Sequence, residues 1–254
     1  MAVYVFTKKE TDMSKLTILI TMAGLGTRFR EAGYKVPKYM IEAKGKTLFE
    51  WSMESLEGFK APENDYIFVV RAEDDSGGFI RETCKKMGIE NVKVIELDHA
   101  TDGQATTAML AEKIWDDESG LLIYNIDTYV EAGQMNFAQI QGDGFIPCFH
   151  APGDHWSFAR LDEAGKVAEV REKQRISDNC TLGAYYFKTC SLYRNLYNEY
   201  YASEEKLEMG EKYVAPLYNY LIEKGGDVRI SIVDFDRVHV LGTPAELNVF
   251  LSQP

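Results

Sequence analysis

The sequence predicts an α/β protein with a mostly parallel central sheet and helices on its faces, and three observations carry that expectation. Apolar runs of strand length, Leu16–Met22, Tyr66–Arg71, Val92–Leu97 and Leu121–Ile126, alternate with stretches that read as helices. That spacing suits crossover connections, which put helices on both faces of a parallel sheet. After Ala151 the pattern changes to two short segments, Trp156–Leu161 and Lys166–Val170, joined by Asp162–Gly165, as in a small antiparallel hairpin.

Size and composition bound the function. A chain of 254 residues, 45% hydrophobic and 27% charged, can bury a sizeable core. Its formal net charge of −12 argues against a nucleic-acid or anionic-membrane partner, since neither surface attracts an acidic protein. A few local cations must then do any phosphate handling. The cysteines Cys84, Cys148, Cys180 and Cys190 form no Cys-x-x-Cys pair. With no secretory signal ahead of them, reduced thiols in a cytoplasm are expected, and no apolar run approaches membrane-spanning length.

Taken in order, residues 1–14 read as an N-terminal extension in which Val3–Phe6 has the composition of an edge strand. The first strand, Leu16–Met22, is followed by a glycine turn, and Met40–Ala43 reads as a short strand before the turn Lys44–Lys46. Thr47–Leu56 is expected as a helix, because Thr47 with Glu50 three residues on has the form of a capping box. The strand Tyr66–Arg71 leads through an Asp/Gly-rich loop to a helix at Phe79–Met87 and a strand at Val92–Leu97. A polar turn, Thr101–Thr107, precedes a helix expected over Ala108–Trp115. The apolar strand Leu121–Ile126 ends at Asp127, and Gly144–His150 is the next strand. Beyond the hairpin, helices are expected at Ser191–Tyr201 and up to Glu223, a final strand at Val228–Phe235, and a Pro-initiated helix after Leu241-Gly-Thr-Pro244. No repeat or flexible linker divides the chain.

The stretch after the first strand carries the chemistry. Gly24-Leu-Gly-Thr-Arg-Phe29 brackets an apolar residue with two glycines, which allow backbone angles that side chains block. A strand running into such a turn can aim successive N–H groups into one concavity suited to a phosphate chain. Pro37-Lys38 then sets a cation at a stiffened position. A Gly-x-Gly alone is often only a tight turn, and neither the lysine-ended phosphate loop nor the three-glycine dinucleotide fingerprint is present. A carboxylate at the carboxyl end of a central strand, Asp127, is expensive to desolvate without a positive partner. A hard Mg²⁺ bridging it to phosphate oxygens is one such partner, and the bland alternative is an Asp capping the next turn.

The composite G-x-G-T-R-F followed by P-K resembles the nucleotidyltransferase superfamily that makes nucleotide-activated sugars and related alcohols. Together with DGQATTAMLA, EKQRISDNCTLGAYYF, YVAPLYN and LGTPAEL, it is most similar to a compact bacterial branch of capsule and surface-polysaccharide synthesis. The resemblance runs from about Lys15 to Leu251 and implies a Rossmann-like, glycosyltransferase-A-like nucleotidyltransferase fold in one domain over 15–254. Its donor half would span about 15–135 and its acceptor half about 136–254. It implies that Ala23, Gly24, Gly26 and Thr27 bind the triphosphate and that Gly103, Gln104 and Thr106 meet the base. Arg28 and Lys38 would be catalytic, and Asp127 would hold Mg²⁺, with Asp234 a further candidate ligand. Glu172, Lys173, Trp156 and Gly183 would bind the phosphorylated acceptor. Two positions depart from the family pattern. Many relatives carry an aspartate, a second metal ligand, where this chain has Val240, and many carry glycine where it has Ser157.

The expected reaction moves a nucleoside monophosphate from a nucleoside triphosphate to a phosphorylated acceptor, a sugar 1-phosphate first, and releases pyrophosphate. A CTP-dependent enzyme acting on a non-sugar phosphate is the alternative that Ser157 and Val240 favour. An inactive nucleotide-sugar-binding module would not need Arg28, Lys38 and Asp127 together. A glycosyltransferase would be expected to carry Asp-x-Asp, whereas this chain reads Asn125-Ile-Asp127. A homo-oligomer is compatible with every one of these readings.

Overall fold

The structure, a computed structural model, describes residues 15–203, 207 and 210–253. The extension at 1–14, with the expected edge strand at Val3–Phe6, lies outside the described residues, as does part of the acidic loop after Tyr201.

The chain begins with β1 (Leu16–Thr21), the glycine turn and a short helix α1 (Thr27–Glu31). A single 3-10 turn at Lys38–Met40 leads into the hairpin β2 (Glu42–Ala43) and β3 (Lys46–Thr47) and then α2 (Leu48–Glu54). The capping box legible in the sequence forms in full: Thr47 Oγ1 accepts from Glu50 N, and Glu50 Oε2 accepts from Thr47 N at 2.7 Å. β4 (Asp65–Arg71), α3 (Gly77–Lys86) and β5 (Val92–Leu97) follow, then α4 (Gln104–Met109), β6 (Gly120–Asn125) and β7 (Thr128–Val130). The second half contains β8 (Gly144–His150), the hairpin β9 (Ser157–Leu161) and β10 (Val167–Glu172), β11 (Asn179–Thr181) and β12 (Ala184–Phe187). It closes with α5 (Cys190–Tyr200), α6 (Pro216–Glu223), β13 (Val228–Val233), β14 (Val238–Val240) and α7 (Pro244–Ser252).

The central sheet runs β10-β9-β11-β8-β12-β6-β1-β4-β5, with β13 parallel to β8 on its other edge. The strands β5, β4, β1 and β6 form its parallel end, and β9 to β12 pair antiparallel in the half that the sequence assigns to the acceptor. Along the parallel strands successive side chains divide between two cores. Ile18, Ile20, Phe68, Val70, Leu122 and Tyr124 belong to one, and Leu19, Ile67, Leu121 and Ile123 to the other. Burial on both faces explains why these strands read as unbroken apolar runs. Each such side chain contributes about 1.5–3 kcal/mol, so the strand ends are held rigidly. All four cysteines are buried free thiols.

Three expectations are corrected. The helix expected over Ala108–Trp115 starts earlier, at Gln104, and ends at Met109. Its start is set by Gly103 (φ 141°, ψ 174°) and by a long-range hydrogen bond from Ala105 N to Lys212 O at 3.0 Å, which local pattern cannot reveal. The strand expected to be last stops at Val233. A further strand, β14, follows it and exists by pairing with β7, Val240 opposite Thr128.

Between β11 and β12 the chain bends at Gly183, whose φ is 74°. One strand can thereby run from β9 to β6, with Asn125 N donating to Gly183 O at 3.0 Å. A Cβ at 183 would sit 2.5 Å from Asn125 Nδ2, so only glycine lets the acceptor side close onto the end of β6.

Candidate active site

Two clefts open at the carboxyl ends of β1 and β6, where a sheet of this kind receives ligands. The donor-side cleft, of about 430 Å³, is lined by Ala23, Gly24, Leu25, Lys38, Gly103 and Thr107 among others. The acceptor-side cleft, of about 260 Å³, is lined by Arg28, Trp156, Glu172, Gly183, Tyr213 and Glu246 among others. Gln104, Asn125 and Asp127 line both and form their common floor.

Lys38 Nζ donates to Asp127 Oδ2 at 2.8 Å on that floor. The lysine is held by its neighbour Tyr39, which is 2% exposed and donates to Ser76 Oγ at 2.9 Å. Burial raises the Tyr39 phenol well above its usual range, so it stays a neutral donor. Asp127 sits on a turn tied at both ends. Ser52 Oγ donates to Ile126 O at 3.0 Å, and Leu241 N donates to Asp127 O at 2.7 Å.

The glycine turn divides in use. Ala23 and Gly24 line the donor cleft, whereas Gly26 and Thr27 start α1 outside it. Gly26 needs its left-handed φ of 62°. Gly24 has no positive φ, and a Cβ there would meet nothing within 4 Å. Its bare backbone therefore faces open space in the cleft. Arg28 is exposed and lines the acceptor-side cleft, not the donor-side one. Phe29 beside it is buried in a third core with Leu241, Leu247 and Phe250, so the C-terminal helix anchors the turn.

The base-side residues separate on inspection. Gln104 Nε2 donates to Thr21 Oγ1 at 3.0 Å and also to Asn125 Oδ1, joining the ends of β1 and β6. Gly103 lines the donor cleft, but its glycine is demanded by the protein, because a Cβ would lie 2.4 Å from Lys212 O. Thr106 does not line the cleft. Its hydroxyl bonds Asp102 and, at 2.8 Å, Tyr197, and Thr107 one residue on faces the cavity instead.

On the acceptor side, Glu172 is bonded by Ser157 Oγ, and burial raises its carboxyl above the usual range, partly offset by that bond and by Lys173. Ser157, unusual by sequence, thus holds the half-buried acid that ends the hairpin. Trp156 packs against His155 and Phe149, with ring centroids 4.2 and 5.1 Å away. Lys173 is exposed at the rim, with a left-handed φ of 51°, and donates to Tyr213 OH at 3.1 Å. Asp234 is exposed, starts the turn at Phe235–Arg237 and lines neither cleft. The structure does not bring it to Asp127.

Sequence reading missed Asn125, Tyr213, Gly242 and Glu246. Asn125 is two residues before Asp127 and could have been found from the strand end. The others lie in the motifs YVAPLYN and LGTPAEL, which carry the resemblance but give no local sign that these side chains reach the cleft. Val240 does line the cleft beside Asp127, and it supplies no oxygen. Among the described residues no group of three or more His, Cys, Asp or Glu side chains could cage a metal. A carboxylate facing a cleft open to phosphate still fits Mg²⁺, which keeps waters and takes substrate oxygens in place of a full protein cage.

No protein-family model matches the chain, and no curated protein matches it. Among solved structures, the nucleoside-diphosphate-sugar pyrophosphorylase from Vibrio cholerae RC9 is 38% identical, with 93% of this chain and 100% of that chain covered and a TM-score of 0.85. The inositol-1-phosphate CTP transferase from T. maritima is 16% identical, with 94% and 93% of the two chains covered and a TM-score of 0.73. A Bacillus anthracis protein assigned as a glucose-1-phosphate thymidylyltransferase, solved with sucrose, is 13% identical, with coverages of 93% and 94% and a TM-score of 0.75. The last two establish the fold, and the first, by identity and coverage, establishes the family. Two clefts that meet at Asp127, the partner of Lys38, are thus set in a chain that belongs to the sugar-phosphate nucleotidyltransferase family.

Proposed function

We propose that the protein transfers a nucleoside monophosphate from a nucleoside triphosphate to a sugar 1-phosphate and releases pyrophosphate. The observation that carries this is the meeting of a donor-side and an acceptor-side cleft at Asp127, which Lys38 bonds from the donor side. An acceptor phosphate oxygen attacks the α-phosphorus. A P–O bond forms there as the bond to the bridging oxygen of the pyrophosphate breaks, with the two in line. A phosphate is already anionic, so no protein base or nucleophile is required, and positioning with charge neutralisation does the catalysis.

On this reading the backbone of Ala23 to Leu25 cradles the triphosphate, with Gly26 and Thr27 holding the turn from outside the cleft, and Gln104 with the turn at Gly103 meets the base. Lys38 stabilises the charge that grows at the α-phosphate, and Arg28, exposed and able to swing from the lining of the acceptor-side cleft, neutralises the departing pyrophosphate. Glu172 accepts from an acceptor hydroxyl, Lys173 guides the acceptor phosphate at the rim, and Trp156 and Gly183 shape the wall. Asp127 would hold Mg²⁺, which when bound would neutralise further phosphate charge. The motifs of the compact branch support a cytoplasmic role in capsule or surface-polysaccharide precursor synthesis. They also support the division into a donor half over about 15–135 and an acceptor half beyond.

A second reading, CTP with a non-sugar phosphate, is favoured by the Ser157–Glu172 bond and by Val240. Pyrophosphate release from four nucleoside triphosphates against a panel of phosphorylated acceptors, with and without Mg²⁺, tests both. Release with one sugar 1-phosphate only in the presence of Mg²⁺ is expected. Release only with CTP and a non-sugar phosphate establishes the second reading, and silence across the panel overturns both.

A further inference from the structure

We propose that Glu246, in the first turn of α7, is the second carboxylate of the divalent-cation site at Asp127, serving where Val240 cannot. This rests on the nucleotidyl-transfer reading above. Two capped helices of this chain supply the comparison. In α2, Glu50 turns back to its cap residue and bonds Thr47 N at 2.7 Å. In α7 the cap is only half built, since Thr243 Oγ1 accepts from Glu246 N at 3.2 Å. The Glu246 carboxylate is left free to point elsewhere, and it lines the acceptor-side cleft together with Asp127.

Glu246 Oε2 is shut off from solvent and has no hydrogen-bond partner among the described residues. A buried carboxylate oxygen without a partner is costly, so the site as built calls for a cation. Gly242 lies between the two acids: the point a Cβ there would occupy is 3.4 Å from Asp127 Oδ2 and 3.5 Å from Glu246 Oε2, so the absent side chain leaves both oxygens on the same side of this residue. The bond from Leu241 N to Asp127 O pins this turn against the end of β6 that carries Asp127. Two carboxylates, opposed here by the Lys38 ammonium, suit a divalent ion that completes its shell with water and phosphate.

Mn²⁺ binding to the full chain, read by electron paramagnetic resonance with and without the nucleoside triphosphate that supports turnover, tests this directly. Glu246→Gln is expected to weaken Mn²⁺ on the order of tenfold or more, the least that loss of a direct ligand should cost, with an unchanged or higher Tm. Gly242→Ala, whose methyl makes only ordinary contacts, should fill the gap and weaken Mn²⁺ while the fold stands. Val240→Asp should restore Mn²⁺ to the Glu246→Gln chain. Wild-type Mn²⁺ affinity in both Glu246→Gln and Gly242→Ala overturns the proposal and leaves the transfer reading intact. A wild-type chain that releases pyrophosphate without binding Mn²⁺ does the same. One that neither binds Mn²⁺ nor releases pyrophosphate overturns both.

Discussion

Lys38 and Asp127, 89 residues apart in sequence, meet at 2.8 Å where the donor and acceptor clefts share a floor. Both side chains are partly exposed, at 19% and 32%, so their pairing stabilises the fold by no more than about 1 kcal/mol. Lys38→Ala should therefore lower kcat by about 10²- to 10³-fold and leave Tm nearly unchanged. Steady-state pyrophosphate release and thermal unfolding of the same preparations check the two halves. Near-native turnover in the variant would exclude Lys38 from the chemistry.

Gly24 and Gly26 should part company on substitution. Gly26→Ala forces a side chain into left-handed backbone and is expected to cost about 1 kcal/mol of stability. Gly24→Ala meets neither strain nor contact, so its Tm should match wild type while the KM for the triphosphate rises. Equal KM values for the Gly24→Ala and wild-type chains would show that no ligand passes this turn.

Glu172 sets a pH dependence. Its carboxyl is raised above the ordinary value of 4.5 by burial, so the folded chain holds that proton more tightly than the unfolded one. The resulting stabilisation is complete below about 4.5 and is lost as pH rises through the folded value. Glu172→Gln removes the titration. The Tm of Glu172→Gln minus that of wild type should therefore grow as pH rises above 4.5, and the acceptor KM should rise. A Tm difference that does not change between acid and neutral pH would rule out the buried, raised carboxyl. Ser157→Ala, which removes the hydroxyl that holds Glu172, should raise the acceptor KM without moving the KM for the triphosphate.

Gly103→Ala should be among the glycine changes most damaging to the fold. Its Cβ would lie 2.4 Å from Lys212 O and 2.6 Å from Lys212 N, where the 210s clasp the turn through Lys212 N to Asp102 O at 2.8 Å. Relieving that overlap means undoing the clasp, at about 1–3 kcal/mol or more. Urea unfolding measures the loss, and hydrogen exchange at Ala105, whose N–H bonds Lys212 O, locates it.

The sequence by itself determined what short-range physics writes. The two-sided strands could be read because burial on both faces demands unbroken apolar runs, and the Thr47–Glu50 cap because its partners are three residues apart. Gly24, Lys38 and Asp127 were legible because each follows a strand or a stiffened turn, and their position on the donor side follows from topology. Tertiary structure alone decided what depends on chain segments far apart. It assigned Gly103 to the close approach of Lys212, exchanged Thr106 for Thr107 at the cleft, and created β14, three residues long, by offering it β7. It also turned Glu246, by position an ordinary helix-capping acid, toward Asp127. Side-chain direction at a helix start depends on what the neighbouring turn leaves open, and Gly242 leaves that space only once α7 is packed against β14.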